Sequence, residues 1–266
     1  MEHNLKRRDF PKAASAITTG GIVATTPACR WFDETPVTGS SIWTEISAAQ
    51  PDSITGLTLW LKADAGVTHT AGSVTQWADQ SGNGNHATAG TSPGYITNLL
   101  NGKPVIRFDG TATLLNISLV LSNTISIFLV ATPSTVADTY LFGSNGVASS
   151  PAIVSNYSGL AFEWFHSNGT IVDRASFNSA SSGFSILSLK EDLSSDTIYS
   201  NSSLSSIIPA NVPITETLNV IGAGSPGVNH CDSDIAEIIV YTRALSDNER
   251  QGVELYLSNK YTITLA

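Results

Sequence analysis

The sequence predicts an all-β protein, two antiparallel sheets packed as a jelly-roll sandwich, with one short C-terminal helix. Three observations carry this. Short apolar runs of strand length recur from Leu57 onward, Gly, Pro, Asn or Ser punctuates nearly every gap, and helical periodicity occurs in one place only. Many short strands with such turns belong to sandwiches, and 266 residues are ample for one large β-domain.

Residues 1–28 read as an export signal. Lys6, Arg7 and Arg8 precede Asp9-Phe10-Pro11-Lys12 and an Ala/Ile/Val/Thr run to Ala28, a basic region followed by an apolar one. The paired arginines followed by x-Phe-x-Lys resemble a twin-arginine signal, with Pro11 standing where that pattern has Leu. The apolar run is too short, and too rich in Thr and Gly, to span a bilayer. Thr26-Pro27-Ala28-Cys29 leaves two endings open: cleavage after Ala28, or a lipid anchor on Cys29. Residues 29–53 carry Pro36, Gly39, Ser40, Ser41 and Pro51 among few apolar residues, the make-up of a linker. Trp31 and Trp43 are its two residues suited to packing back on a domain.

The domain proper is residues 54–266. Leu57, Leu59 and Leu61 alternate with Thr58, Trp60 and Lys62, and a second short alternation runs from Val105 to Phe108. Residues 125–132 (ISIFLVAT) form a continuous apolar run, which suits a strand buried on both faces. Further strands are expected at 140–142, 152–155, 160–165, 184–189, 196–200, 217–221 and 235–241. A helix is expected from Ser246, with Glu249 completing a capping box and Val253, Tyr256 and Leu257 as its apolar face. It is expected to cover one end of the sandwich.

The densest stretch is Trp77 to Ala89, WADQSGNGNHATA. Ser81-Gly82-Asn83-Gly84-Asn85 requires a tight turn that tolerates left-handed backbone. Side-chain oxygens at Asp79, Ser81, Asn83 and Asn85 have the opening spacing of a calcium loop, but the twelfth position, where a bidentate Glu belongs, is Gly90. Two roles stay open for these four residues: Ca2+ ligands, or formers of their own turn through Asx-type bonds.

Together with residues 57–67 (LTLWLKADAGV), 101–110 (NGKPVIRFDG) and 235–261 (IAEIIVYTRALSDNERQGVELYLSNKY), this run resembles the laminin-G-like, concanavalin A-type jelly-roll domains of secreted bacterial proteins. The four blocks cover roughly residues 54 to 266. The resemblance implies a non-catalytic, lectin-like module that recognises polysaccharide or glycoprotein glycans.

Two other activities fit the same sandwich. Asp232-x-Asp234-x-x-Glu237 resembles the Glu-x-Asp-x-x-Glu strand of laminarinase-type glycoside hydrolases, with Asp232 departing at the first position. Retaining enzymes need two carboxyls about 5 to 5.5 Å apart on one face. Strand alternation puts Asp232 and Asp234 together and Glu237 opposite, unless a bulge intervenes. In the non-catalytic relatives the same place carries I-A-E, with a structural Glu. The other alternative is an adhesion or structural domain that binds protein.

For sugar binding, residues 160–168 (LAFEWFHSN) offer Phe162, Trp164 and His166 on one face and Glu163 and Phe165 on the other, before an Asn168-Gly169 turn. One face must build the core; the other can supply an aromatic platform with polar neighbours, from Trp164 or Phe165 with Glu163 and His166. Arg107 beside Asp109 is expected as a structural pair or turn anchor, and Arg243 as a tie between last strand and helix.

Composition limits the partners. Net charge is −9, and no Lys/Arg cluster occurs outside the N-terminus, which disfavours nucleic acid and anionic membrane surfaces. Contact with a membrane is expected only through a lipid on Cys29. There is no zinc spacing. Cys231 is expected as a small buried hydrophobe.

Overall fold

The computed structural model describes residues 46–266, apart from 122–123, 144–151, 158–159, 168–171, 178–182, 210–216 and 225–227. The expected export signal, Cys29, Trp31 and Trp43 lie outside the described residues. A single 3-10 turn, Pro51–Ser53, leads into the strands. In order these are β1 (Leu57–Lys62), β2 (Val67–Thr70), β3 (Ser73–Trp77), β4 (Ala87–Thr91), β5 (Gly94–Leu100), β6 (Lys103–Arg107), β7 (Leu114–Val120), β8 (Ile125–Ala131) and β9 (Thr139–Gly143). Then come β10 (Ala152–Tyr157), β11 (Leu160–Ser167), β12 (Val172–Phe177), β13 (Ser185–Glu191), β14 (Ser195–Ser200), β15 (Ser203–Pro209), β16 (Thr217–Ile221), β17 (Asp234–Tyr241) and one helix, α1 (Asp247–Tyr261).

Antiparallel pairing builds two layers. The first runs β15-β14-β13-β8-β17, and the far edge of β17 is shared by β1 and β6, with β5 beyond β6. The second runs β12-β11-β10-β9-β16-β7-β4-β3-β2. A contact between Ser73 of β3 and Gly94 of β5 joins their edges. The main core holds side chains from both layers, among them Leu59, Leu61, Leu129 and Val240 from the first and Leu115, Phe142, Phe162 and Trp164 from the second, so the layers face each other as a sandwich.

The apolar run of β8 explains itself in this setting. Ile125, Ile127, Leu129 and Ala131 point into the inter-sheet core, while Phe128 and Val130 join a second cluster with Val253, Tyr256, Leu257 and Tyr261 of α1. The helix therefore lies on the outer face of the first sheet, not over an end of the sandwich as expected. The reason is supply: β1, β8, β13 and β17 carry apolar residues on both faces, and only a covering element can keep the outer set dry. The capping box forms as read, with Ser246 and Glu249 bonded reciprocally.

Residues 46–53 are not free linker. The Ala49 N–H donates to the Gly252 carbonyl (2.9 Å), and Tyr241 donates its hydroxyl proton to the Pro51 carbonyl (3.0 Å). Gly252 permits this crossing, because a Cβ there would sit 3.0 Å from that of Ala49 and 3.2 Å from the Ser47 carbonyl oxygen.

The expected strands are all present, but β2, β3, β4, β5, β7, β12 and β15 were not among them. Most of these lie at exposed edges with few apolar residues, where the hydrophobic pattern is weak. For β7 the signal was there: Leu115, Ile117 and Leu119 alternate with Asn116, Ser118 and Val120.

Candidate functional site

The two outer faces of the sandwich differ. That of the first sheet is sealed by α1, and its centre is Glu237, 1% exposed. One carboxylate oxygen accepts from the Trp60 indole (2.6 Å) and the Tyr256 hydroxyl (3.0 Å). The other accepts from Lys260 (2.7 Å) and the Tyr261 hydroxyl (2.8 Å). Burial, and then the Glu237 charge, hold both tyrosine hydroxyls far above their usual range, so both remain donors. Below α1, Arg250 pairs with the fully buried Glu254 (2.6 Å) and lies over the Tyr199 ring.

On the outer face of the second sheet, Ala152, Val154, Glu163 and Val220 are 4% exposed or less, while β4 and β7 leave a strip open. Because Leu115, Ile117 and Leu119 turn into the core, Asn116, Ser118 and Val120 turn outward and are exposed, Val120 by 67%. Register sets Thr88 of β4 beside Asn116, and Asn116 beside Val220 of β16. Val220, Leu114 and Ala223 form a small buried cluster beside this strip. Tyr140 of β9 lies half-buried across Gly224, where a Cβ would meet its ring at 2.7 Å. The result is a short row of exposed amide and hydroxyl groups, Thr88, Asn116 and Ser118, beside the exposed Val120, able to exchange hydrogen bonds with a polyhydroxylated ligand.

The expected aromatic platform divides. Phe162 and Trp164 belong to the inter-sheet core, Trp164 at 1% exposure, and its indole N–H donates to Glu191 (3.2 Å). A ring so enclosed offers no face to a sugar, and Trp164 is corrected to packing. Glu163, one position before it, belongs to the opposite face of β11 and is buried. Phe165 and His166 take their places in β11 opposite Arg174 and Asp173 of β12; their side chains, and the Asn168-Gly169 turn, lie outside the described residues. An apolar cavity beside Trp164, lined also by Ile127, Leu129, Phe162 and Leu187, measures about 20 Å³, the scale of a single water and too small for a sugar.

The four residues read as calcium ligands hang on β1. Asp79 accepts from the backbone N–H groups of Trp60 (2.9 Å), Ser81 (2.9 Å) and Asn85 (3.0 Å) and from the Ser81 hydroxyl (2.7 Å). The amides of Asn83 and Asn85 and the Ser81 hydroxyl donate to the Thr58 or Leu57 carbonyls. His86 accepts from the Asp79 N–H (3.0 Å). Both Asp79 oxygens are thus committed to donors, which does not suit a cation; among the described residues, no cluster of three or more His, Cys, Asp or Glu side chains has metal-binding geometry.

The carboxylates of the hydrolase-like motif do not converge. A register shift between Ile235 and Glu237 is the bulge that alternation required, yet each acid has a separate structural task. Asp232 accepts from Ser134 (2.5 Å), from the Thr135 N–H (2.7 Å) and from the Thr135 hydroxyl; burial opposes its charge, but these bonds outweigh it and hold it below the usual carboxylate range. Asp234 takes a bidentate bond from Arg107 (2.8 and 2.7 Å). Arg107 therefore pairs with Asp234 rather than Asp109, which accepts from the N–H groups of Thr111, Ala112 and Thr113 instead. Arg243 does tie β17 to the helix, through Glu249 and the Thr55 carbonyl. Cys231 is a fully buried thiol, its pKa pushed up to about 12 by burial.

No family profile matches the sequence, and a search of curated proteins returns no match. Among solved structures, the chain is similar to domain 4 of AbnA, a GH43 extracellular arabinanase from Geobacillus stearothermophilus, in complex with arabinotriose. The TM-score is 0.61 at 16% identity, covering 75% of this chain and 98% of that one. It is similar to the binding domain of Paraclostridial Mosquitocidal Protein 1 (TM-score 0.59, 13% identity, 80% and 53% covered). It is also similar to the botulinum neurotoxin serotype D ligand binding domain in complex with N-acetylneuraminic acid (0.56, 13%, 79% and 51%). The chain spans about half the length of the two toxin domains. At these identities the likeness bears out the β-sandwich fold.

Proposed function

We propose that the chain is an exported, non-catalytic carbohydrate-binding module that takes polysaccharide or glycan on the outer face of its second sheet. The observation that carries this is the asymmetry of the sandwich. The outer face of the first sheet is covered by α1, while that of the second leaves Thr88, Asn116 and Ser118 exposed beside Val120. The structural neighbours solved with arabinotriose and with N-acetylneuraminic acid support a glycan as the ligand. Separate structural tasks for Asp232, Asp234 and Glu237 favour binding over hydrolysis, and the inward commitment of Asp79 favours binding without calcium. Residues 1–28 direct export, with Cys29 the point of lipid attachment where the chain is anchored.

The test is a polysaccharide and glycan panel, run on the full chain with calcium and again with chelator, scoring binding and release of reducing ends. Binding without release that is lost in Asn116→Ala/Ser118→Ala supports the proposal. Released ends would overturn the non-catalytic part. Binding that ignores the double substitution would move the site off this face.

A further inference from the structure

Resting on that reading, we infer that the glycan is uncharged: a neutral polysaccharide segment rather than a sialylated or uronic one. The open face is built by adjacent strands that carry no fixed charge. β3, β4, β7, β16, β9 and β10, which neighbour one another in the second sheet, contain no Asp, Glu, Lys, Arg or His. Their exposed polar groups are hydroxyls and amides, those of Thr88, Asn116 and Ser118. A side-chain amide offers a donor and an acceptor in one plane, which suits neighbouring sugar hydroxyls; a carboxylate calls for Arg or Lys.

Seven cations lie elsewhere, each with a partner among the described residues. Arg107 pairs with Asp234, Lys190 with Asp247, Arg243 with Glu249 and Arg250 with Glu254. Lys103 and Lys260 share Asp64, and Lys62 lies over the Trp60 ring. All seven belong to the first sheet, its helix or the turn between them. Acids stand at the strand ends: Asp138 lies directly before β9, and Asp109 and Asp232 are held below the usual carboxylate range by hydrogen bonds that outweigh burial; the whole chain carries −9. An anionic sugar would meet repulsion there. Arg174 is the one Lys or Arg in a second-sheet strand; it stands on β12, three strands beyond β9 and therefore about 14 Å across the sheet.

The experiment compares neutral with acidic oligosaccharides on the full chain by calorimetry at low and high salt. The neutral set is arabino-, xylo- and cello-oligosaccharides; the acidic set is oligogalacturonides and sialyllactose. Asn116→Ala and Arg174→Ala are run alongside. The expected result is at least tenfold tighter binding of a neutral ligand, changing less than twofold with salt, weakened at least tenfold by Asn116→Ala and unchanged by Arg174→Ala. Tighter binding of an acidic ligand, weakened by salt and by either substitution, would overturn the inference and leave the module reading in place. Failure of every glycan to bind, or binding indifferent to Asn116→Ala, would overturn both.

Discussion

The Trp60 indole N–H meets Glu237 at 2.6 Å, joining residues 177 positions apart. That bond, with those from Tyr256, Lys260 and Tyr261, fastens β1, β17 and α1 at a single buried carboxylate.

Glu237→Gln keeps the volume but removes the charge that faces Lys260, and it replaces an acceptor oxygen with a donor amide. Breaking a buried ion pair typically costs about 3–5 kcal/mol. The expected outcome is a stability loss of that order in denaturant unfolding, with helix docking weakened. A loss under 1 kcal/mol would mean that the four donors find water instead.

Trp164 is packing, so Trp164→Ala is expected to cost about 3–5 kcal/mol. The smaller change Trp164→Phe should leave a folded protein whose glycan affinity stays within twofold of the parent. Thermal unfolding and a binding titration on the same sample check this; a folded Phe variant that no longer binds would restore Trp164 as part of the site.

Asp79 holds the 79–86 turn against β1 through three backbone N–H groups and a hydroxyl. Asp79→Ala strips these acceptors, and with buried donors left unmet at about 1–3 kcal/mol apiece a marked loss of stability is expected, the same in calcium and in chelator. A melting temperature that rises with calcium in the parent and not in the variant would reinstate the ion.

Acid should loosen the junction between β17 and α1. The Arg243 guanidinium, with the Ser246 N–H and hydroxyl, pulls Glu249 from 4.5 down to about 2. A carboxylate whose folded pKa is depressed contributes stability that is complete above its unfolded value and is lost as pH falls through the folded one. That window runs from about 4.5 to about 2. Stability measured against pH should fall across it, with a shallower fall in Glu249→Gln; an unchanged slope would show that Glu249 contributes nothing to acid sensitivity.

How much was legible in advance followed from how local each signal is. Ser246 and Glu249 marked the helix start, and the unbroken run at residues 125–132 marked a strand with two buried faces, because capping and alternation act between near neighbours. The turn role of Asp79 was one of two open readings, as the spacing of its oxygens is the same whether they face a cation or the N–H groups of β1. Glu163 and Trp164 were read as alternating, and correctly so; which of the two faces the core depends on the partner sheet, and no local pattern carries that.

Sequence by itself determined the class: an all-β chain with one capped helix, low charge and an acidic balance. Only the tertiary structure decided which surfaces stay open. α1 seals the first sheet because that sheet has apolar residues on both sides, and the charges of residues far apart in the chain meet in pairs beneath and around the helix. On the second sheet, what stays exposed among the described residues includes Thr88, Asn116 and Ser118, on strands that carry no charge.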